Sequence, residues 1–426
     1  MTLVLFSVFF ILLAFGVPIA LALILSSVIP LYHTGMPLIV IPQKIFASFD
    51  SYGLMAIPFF MMAGGLLDKG GVSKRLVNFA NSLVGWLPGG LAIVVFLASA
   101  FFGAISGSAA ATVAAMGSIL VPAMLEEGYP LKFTLATVAI AGVLGIIVPP
   151  SIPMVIYGLS ASVSIGEVFM GGFLPGFMLA AGMSVYSLWY GKKHLNVARS
   201  FSLREVWVTF ADAIWALIMP FIILGGIYGG VFTPTEASSV ACLYGLFVGV
   251  FVYREINFDI IKDILRGAVT TTAMLFFVIA GATVFGLIMT REMIPMQVAE
   301  WILGVSKSQA GFLVLVTILL LVVGTFMDVV PAVVILTPIF VPVLKEYDVN
   351  PVAFGVIMII TLGIGLVTPP VGLNLYVAAG LRKTTIENVF GKDLLVYILA
   401  ALGVLVVLMA VPQIIMFLPD MMAKGA

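Results

Sequence analysis

Apolar residues fill the chain in long runs, and polar or charged residues are confined to short clusters between them. A helix needs about 20 apolar residues to cross the hydrocarbon of a bilayer, and roughly ten such crossings fit here. The first run, residues 3–30, has no basic stretch before it and no small-residue cleavage site, so it reads as a retained helix and not a signal peptide. Two apolar stretches, 91–102 and 112–125, are each too short to span alone. They flank the run Gly103-Ala104-Ile105-Ser106-Gly107-Ser108, which predicts a helical hairpin that enters and leaves on one side, with its tip at mid-membrane depth. Composition agrees: 62% of the 426 residues are hydrophobic and 9% charged, with mean hydropathy +1.26, which excludes the soluble globular classes.

The two halves of the chain repeat each other. Phe59-Phe60-Met61-Met62-Ala63-Gly64 returns as Phe276-Phe277-Val278-Ile279-Ala280-Gly281, and Pro149-Pro150 returns as Pro369-Pro370. In the same order, Gly103 pairs with Gly324, Pro122 with Pro342, Tyr129-Pro130 with Asn350-Pro351, and Gly16-Val17-Pro18 with Phe232-Thr233-Pro234. Internal repeats of this kind are a transporter signature.

Charge orients them, because cytoplasmic loops are rich in Lys and Arg. Lys69, Lys74, Arg75, Lys132, Lys192, Lys193, Arg199 and Arg204 mark the cytoplasmic face in the first half, and Arg254, Lys262, Arg266, Arg382, Lys383 and Lys392 in the second. Lys44, Arg291, Lys307, Lys345 and Lys424 fall outside. On this trace the amino terminus is cytoplasmic, the first run exits to a periplasmic loop holding His33 and Lys44, and residues 54–67 return. A hairpin over 88–126 opens from the cytoplasmic side, and an interrupted helix over 133–160 crosses outward. A connecting helix over 201–230 then carries the chain across, so the second repeat (231–426) is inverted relative to the first (1–200). It holds a hairpin over 311–345 and an interrupted helix over 352–380, and the carboxyl terminus is periplasmic. The expected fold is an all-α polytopic membrane protein of two inverted repeats, each with a re-entrant hairpin and a proline-interrupted helix.

Broken helices are tolerated in hydrocarbon only where protein or a water-filled cavity satisfies the backbone. A double proline removes two amide donors and frees carbonyls about one turn earlier. The carboxyl ends of half-helices favour a cation and the amino ends an anion. One tip and one break in each repeat therefore compose one Na+ site in each. Gly103, Ser106, Gly145, Val148 and Pro150 make the first, and Gly324, Thr325, Asp328, Thr361, Gly365 and Thr368 the second. Each glycine alone equally suits close helix packing, and each hydroxyl a bond to its own helix; the pairing of the constellation across the halves is what favours ion sites. Asp328 is a carboxylate at membrane depth, where acids are costly and usually functional. Ser108, Ser151 and Asn374, just past a tip or a proline pair, are candidates for contact with an organic anion. No Arg or Lys falls near mid-span, so bound Na+ and helix amino ends would neutralise that anion.

Other chemistry is absent. The basic residues are scattered, which gives no footprint for nucleic acid. The single cysteine, Cys242, excludes an internal disulfide and any multi-cysteine metal site. There is no HExxH, GxSxG or Walker A pattern, and His33 and His194 fall in expected loops, so Ser106-Gly107 lacks the histidine an intramembrane serine hydrolase would need. Trp86, Trp207, Trp215 and Trp301 read as interfacial anchors. Residues 74–86 alternate as a helix lying on the cytoplasmic surface.

Four segments carry a resemblance to a family: Gly229-Gly230-Val231-Phe232-Thr233-Pro234-Thr235-Glu236-Ala237, Ile147-Val148-Pro149-Pro150-Ser151-Ile152-Pro153, Thr368-Pro369-Pro370-Val371-Gly372-Leu373-Asn374, and the Ser106-Gly107-Ser108 tip. Over essentially its whole length the chain resembles the large (M) subunit of tripartite ATP-independent periplasmic (TRAP) transporters of bacterial inner membranes. The resemblance implies an elevator mechanism, at least two Na+ per cycle, no organic cofactor, a small four-helix membrane subunit (Q type), expected as a separate chain, and a periplasmic substrate-binding protein (P type). It implies a carboxylate substrate. Ser151-Ile152-Pro153-Met154-Val155-Ile156-Tyr157-Gly158 looks like sialic-acid members, with C4-dicarboxylates the alternative. A stand-alone sodium–carboxylate symporter of similar architecture and an ion channel are the readings outside the family.

Overall fold

A computed structural model describes residues 1–194 and 200–423; Arg199 and Lys424, assigned above to opposite faces, lie outside the described residues. The described residues form helices and no strand. Among them seven helices are long and apolar enough to cross a bilayer, or up to ten if each bent pair is one span.

The helix Phe258–Arg291 has 34 residues. At 1.5 Å per residue it is about 50 Å long, so its neighbours read depth along the molecule. Near its start, a Cβ at Gly65 would lie 3.0 Å from Ile264. Further along, Phe276 stacks on Phe49 (5.8 Å between ring centroids) and Phe285 packs edge-on against Phe6 (5.6 Å). At its far end the Arg291 guanidinium donates to the Thr34 carbonyl (3.4 Å), and Glu292 lies 3.8 Å from the Met1 ammonium.

That ruler corrects the first run. Residues 3–30 are not one span but two helices, Thr2–Ala14 and Ile19–His33, with Met1 and Thr34 at the same end. The reversal is built by Gly16, in the left-handed region at φ 77°, and by Pro18, which has no amide proton to leave orphaned at the start of a helix. Both arms are strongly apolar, so hydropathy does not register the turn. Met1 therefore lies at the opposite end of the molecule from Lys69 and Arg75, not beside them. Lys44, expected in a loop, lies in the helix Val40–Phe49, bent by 62° from the following Tyr52–Lys69.

The same reversal recurs in the second half. Leu203–Tyr228 is followed by Gly230 (φ 66°) in the turn, and Thr233 opens Pro234–Phe247 with a capping box: its hydroxyl accepts from the Glu236 amide while the Glu236 carboxylate accepts from the Thr233 amide at 2.8 Å. Leu203–Tyr228, expected as a connector, thus occupies in the second half the place of Thr2–Ala14 in the first.

Two groups of helices result. A frame bundle holds the helical reversals with Ala56–Lys69 and Phe258–Arg291. A hairpin bundle holds the hairpins, the broken helices, Ile165–His194 and Lys392–Ala410. The hairpin Gly90–Ser106/Ala109–Glu126 is rooted beside Ser187 and Gly191, whereas Gln309–Gly324/Val329–Leu344 is rooted beside Asp348 and Gln413 at the opposite end. The surface helix Val72–Val84 buries Val72, Leu76, Val77 and Ala80 and leaves Lys74 exposed.

Candidate functional site

Each hairpin meets the broken helix of its own repeat through glycines. At Gly103 an added Cβ would stand 2.7 Å from the Leu144 carbonyl and 3.0 Å from Gly145 Cα. At Gly365 it would stand 2.5 Å from Gly324 Cα, and at Gly324 2.7 Å from the Leu362 carbonyl. Only hydrogen fits, so backbone touches backbone where both are interrupted. The first break runs from Leu144–Ile147 through extended Val148 and the Pro149–Pro150 pair to Ile152–Ala161. The second runs from Pro351–Gly365 through Thr368 and Pro369–Pro370 to Leu373–Gly380. The two proline pairs are both cis.

The first junction collects Gly103, Ser106, Gly145 and Pro150. Ser106 Oγ lies 3.2 Å from Thr112 Oγ1, Thr112 donates to the Ser108 carbonyl (2.8 Å), and a Cβ on Gly107 would stand 3.2 Å from the Pro150 carbonyl. Val148 contributes backbone only, since its side chain packs towards Gly176. Thr112 joins this set although no motif marks it. Its spacing of four from Ser108, one helical turn, is the signal that points to it.

At the second junction the Thr325 carbonyl accepts from the Gly372 amide (2.9 Å), joining tip to break. The hydroxyls of Thr325, Thr361 and Thr368 donate to Val322, Ile357 and Ile364 of their own helices. A hydroxyl that has given its proton away still presents oxygen lone pairs, so this bonding is compatible with a cation. Thr361 lies one turn before the junction. Asp328 caps Val329–Leu344, accepting from the Val329 amide at 2.8 Å. Ser108 takes the corresponding place in the first hairpin, accepting from Ala111 at 3.4 Å.

Ser108 and Asp328, one from each tip, line a cavity of about 100 Å³ that also touches Ile146, Pro153 and Leu373 beside the two breaks. Met61 and Thr271 of the frame bundle close its other side. The same Met61, Ser108, Ile152 and Thr271 line a second cavity of about 370 Å³ that runs past Ser106 to Asp68, Lys69 and Asp263. The tips thus connect to the Lys69 end. Ser151 and Asn374 do not reach this space. Ser151 is buried, its hydroxyl donating to the Ile146 carbonyl and accepting from Met154. Asn374 is buried across the repeats, its amide nitrogen donating to Ala139 (3.3 Å) while Oδ1 has no partner among the described residues.

The donor set is carbonyl and hydroxyl oxygen at both junctions, with the Asp328 carboxylate beside the second, the chemistry of a hard cation. Among the described residues no group of three His, Cys, Asp or Glu could hold a metal.

Inverted helical repeats whose hairpin tips meet broken helices around one cavity define a polytopic membrane permease. The chain matches the model of the tripartite ATP-independent periplasmic transporter DctM component over residues 6–414, and it belongs to that family. It is 45% identical over 417 residues to the isethionate TRAP transporter permease protein DctMQ of Oleidesulfovibrio alaskensis, covering 97% of this chain and 66% of that longer one. It is 37% identical to the C4-dicarboxylate TRAP transporter large permease protein DctM of Rhodobacter capsulatus, covering 99% of both. It is also 38% identical to the 2,3-diketo-L-gulonate large permease protein YiaN of Escherichia coli K12, covering 94% and 95%. The crystal structure of the Alcanivorax borkumensis YdaH transporter shares the fold, with TM-score 0.64 at 16% identity over 87% of each chain.

Proposed function

We propose that this chain is the large permease of a sodium-coupled uptake system for small organic acids in a bacterial inner membrane, fed by a periplasmic binding protein and assembled with a small four-helix membrane subunit. The observation that carries the reading is the convergence of two hairpin tips and two broken helices on one largely apolar cavity that presents the side-chain oxygens of Ser108, Asp328 and Thr271. One Na+ binds at each tip–break junction. The Asp328 carboxylate alone repels an anion; one Na+ beside it cancels that charge and the second makes the site net positive, so Na+ binds before the acid. Two Na+ with a monovalent anion carry one net charge inward, worth about 2.3 kcal/mol per 100 mV.

Transport proceeds by sliding of the hairpin bundle against the frame bundle. The face bearing Lys69, Arg75 and Lys192 is taken as cytoplasmic, which makes this the inward-open state and places Met1 and the carboxyl-terminal helix outside. The cavity between the tips, about 100 Å³, joins one of about 370 Å³, towards the lower part of the roughly 300–1,000 Å³ of drug-sized ligand pockets, which favours a compact acid. The names of the relatives, for isethionate, C4-dicarboxylates and 2,3-diketo-L-gulonate, point the same way.

The test is uptake into proteoliposomes holding the chain and its small subunit, with the binding protein outside and an imposed Na+ gradient, using labelled isethionate, succinate and N-acetylneuraminate. Uptake of at least one acid that stops when choline replaces Na+ is expected. Uptake indifferent to Na+ overturns the coupling, uptake undiminished without the binding protein identifies a stand-alone symporter, and preference for N-acetylneuraminate restores the sialic-acid assignment.

A further inference from the structure

The cavities at the tips have one wall that belongs to the frame bundle. On Phe258–Arg291 that wall is a single face, Asp263, Ile264, Gly267, Ala268, Thr271 and Leu275, at helical spacing. Gly267 and Ala268 are small and leave space; Asp263 lies at the Lys69 end of the wider cavity, and Thr271 is the polar side chain of this face that also reaches the cavity between the tips.

A threonine inside a helix ordinarily returns its hydroxyl to the carbonyl one turn back. Thr270, Thr283 and Thr290 of this helix do so, at 2.8–2.9 Å, and Thr272 reaches Met61 Sδ at 3.7 Å. Thr271 makes no side-chain hydrogen bond among the described residues, and it is exposed. It lines both the cavity between the tips, opposite Ser108 and Asp328, and the wider one leading to Lys69. Its hydroxyl therefore stands unengaged where the route from the tips begins.

We infer that Thr271 is a hydrogen-bond contact of the transported acid, made only while the cavity opens on the Lys69 face; the inference rests on the proposed uptake of an organic anion. Thr271 belongs to the frame, whereas Ser108 and Asp328 move with the hairpins. When the hairpin bundle slides towards the other face, the hydroxyl is left behind. Thr271 then sets affinity on the release side without touching affinity on the loading side, and it discriminates among acids by whether an oxygen reaches it. A hydroxyl donates to a carboxylate or sulfonate oxygen and accepts from a substrate hydroxyl, so compact oxygen-rich anions suit it.

The test uses the whole complex in proteoliposomes with labelled isethionate, succinate and N-acetylneuraminate, comparing wild type, Thr271→Val and Thr271→Ser. External half-saturation is read from uptake, and internal half-saturation from exchange driven by unlabelled acid inside. Thr271→Val should raise the internal constant roughly threefold to tenfold, the span of one hydrogen bond, with the external constant unmoved. Thr271→Ser should restore it, which also separates the hydroxyl from any packing effect of valine. Internal and external constants that shift together, or an internal constant unchanged in Thr271→Val, overturn the inference. Wild-type uptake of none of the three acids overturns the transport reading beneath it instead.

Discussion

Replacing Gly365 by alanine tests whether the second tip–break junction is a cation site. The new Cβ would stand 2.5 Å from Gly324 Cα and 2.6 Å from its carbonyl carbon, both backbone atoms that no rotamer change can move. Ordinary contact begins at 3.4 Å, so tip and break must part by about 0.9 Å there. Such overpacking costs about 1–3 kcal/mol. A hard cation of this size holds its oxygens at about 2.3–2.6 Å, so the same displacement removes one side of the coordination shell. Sodium at ten times its Kd stabilises a single site by about 1.4 kcal/mol. Thermal unfolding of the purified protein, in NaCl and in choline chloride, separates the two effects. Gly365→Ala should unfold at a lower temperature in choline and should lose the part of the sodium-dependent rise contributed by the second site. A full sodium-dependent rise in a destabilised Gly365→Ala would show that the junction is packing and not a ligand shell.

Three further outcomes are expected. Ser106→Ala, Thr112→Val and Thr368→Ala should each raise the Na+ concentration for half-maximal uptake by roughly threefold to tenfold with assembly intact, and unaltered sodium titrations would discard these ligands. Arg75 donates to Glu255 (2.8 Å), Asp212 (3.3 Å) and the Gly71 carbonyl (2.9 Å) and lies 3.8 Å over the Tyr253 ring, tying the surface helix to the second half. Because both acids are substantially exposed, Arg75→Ala should cost only about 1 kcal/mol in thermal unfolding, with Arg75→Lys a partial rescue because it keeps the charge and loses the planar fork. Thr233→Ala removes the capping box and should cost about 1 kcal/mol, visible as faster amide exchange over residues 235–237.

Much of the architecture was legible because its determinants are local. Apolar run length, the glycine tips and the proline pairs act within a few residues of themselves, and the repetition of Gly103 and Pro149-Pro150 as Gly324 and Pro369-Pro370 doubles the signal. The helical reversal at Gly16-Val17-Pro18 belongs to the same repeat, paired with Phe232-Thr233-Pro234. Hydropathy does not reveal it because hydropathy is blind to direction: two apolar arms folded together have the profile of one long span. A hydropathy trace therefore puts the ends of the first run on opposite faces and Met1 on the Lys69 side, whereas the fold puts it at the opposite end.

What the sequence determined by itself is the set of places where helices cannot continue, since a missing amide proton or Cβ is a property of the residue. The folded structure decided how closely the expected tip–break pairs approach and which side chains face the cavity. It brought Gly103 against Gly145 and Gly324 against Gly365, turned Ser151 and Asn374 into buried packing away from the cavity, and set Thr112 and Thr271 beside it. Those outcomes depend on side-chain direction and on contacts between segments far apart in the chain, which no local pattern encodes.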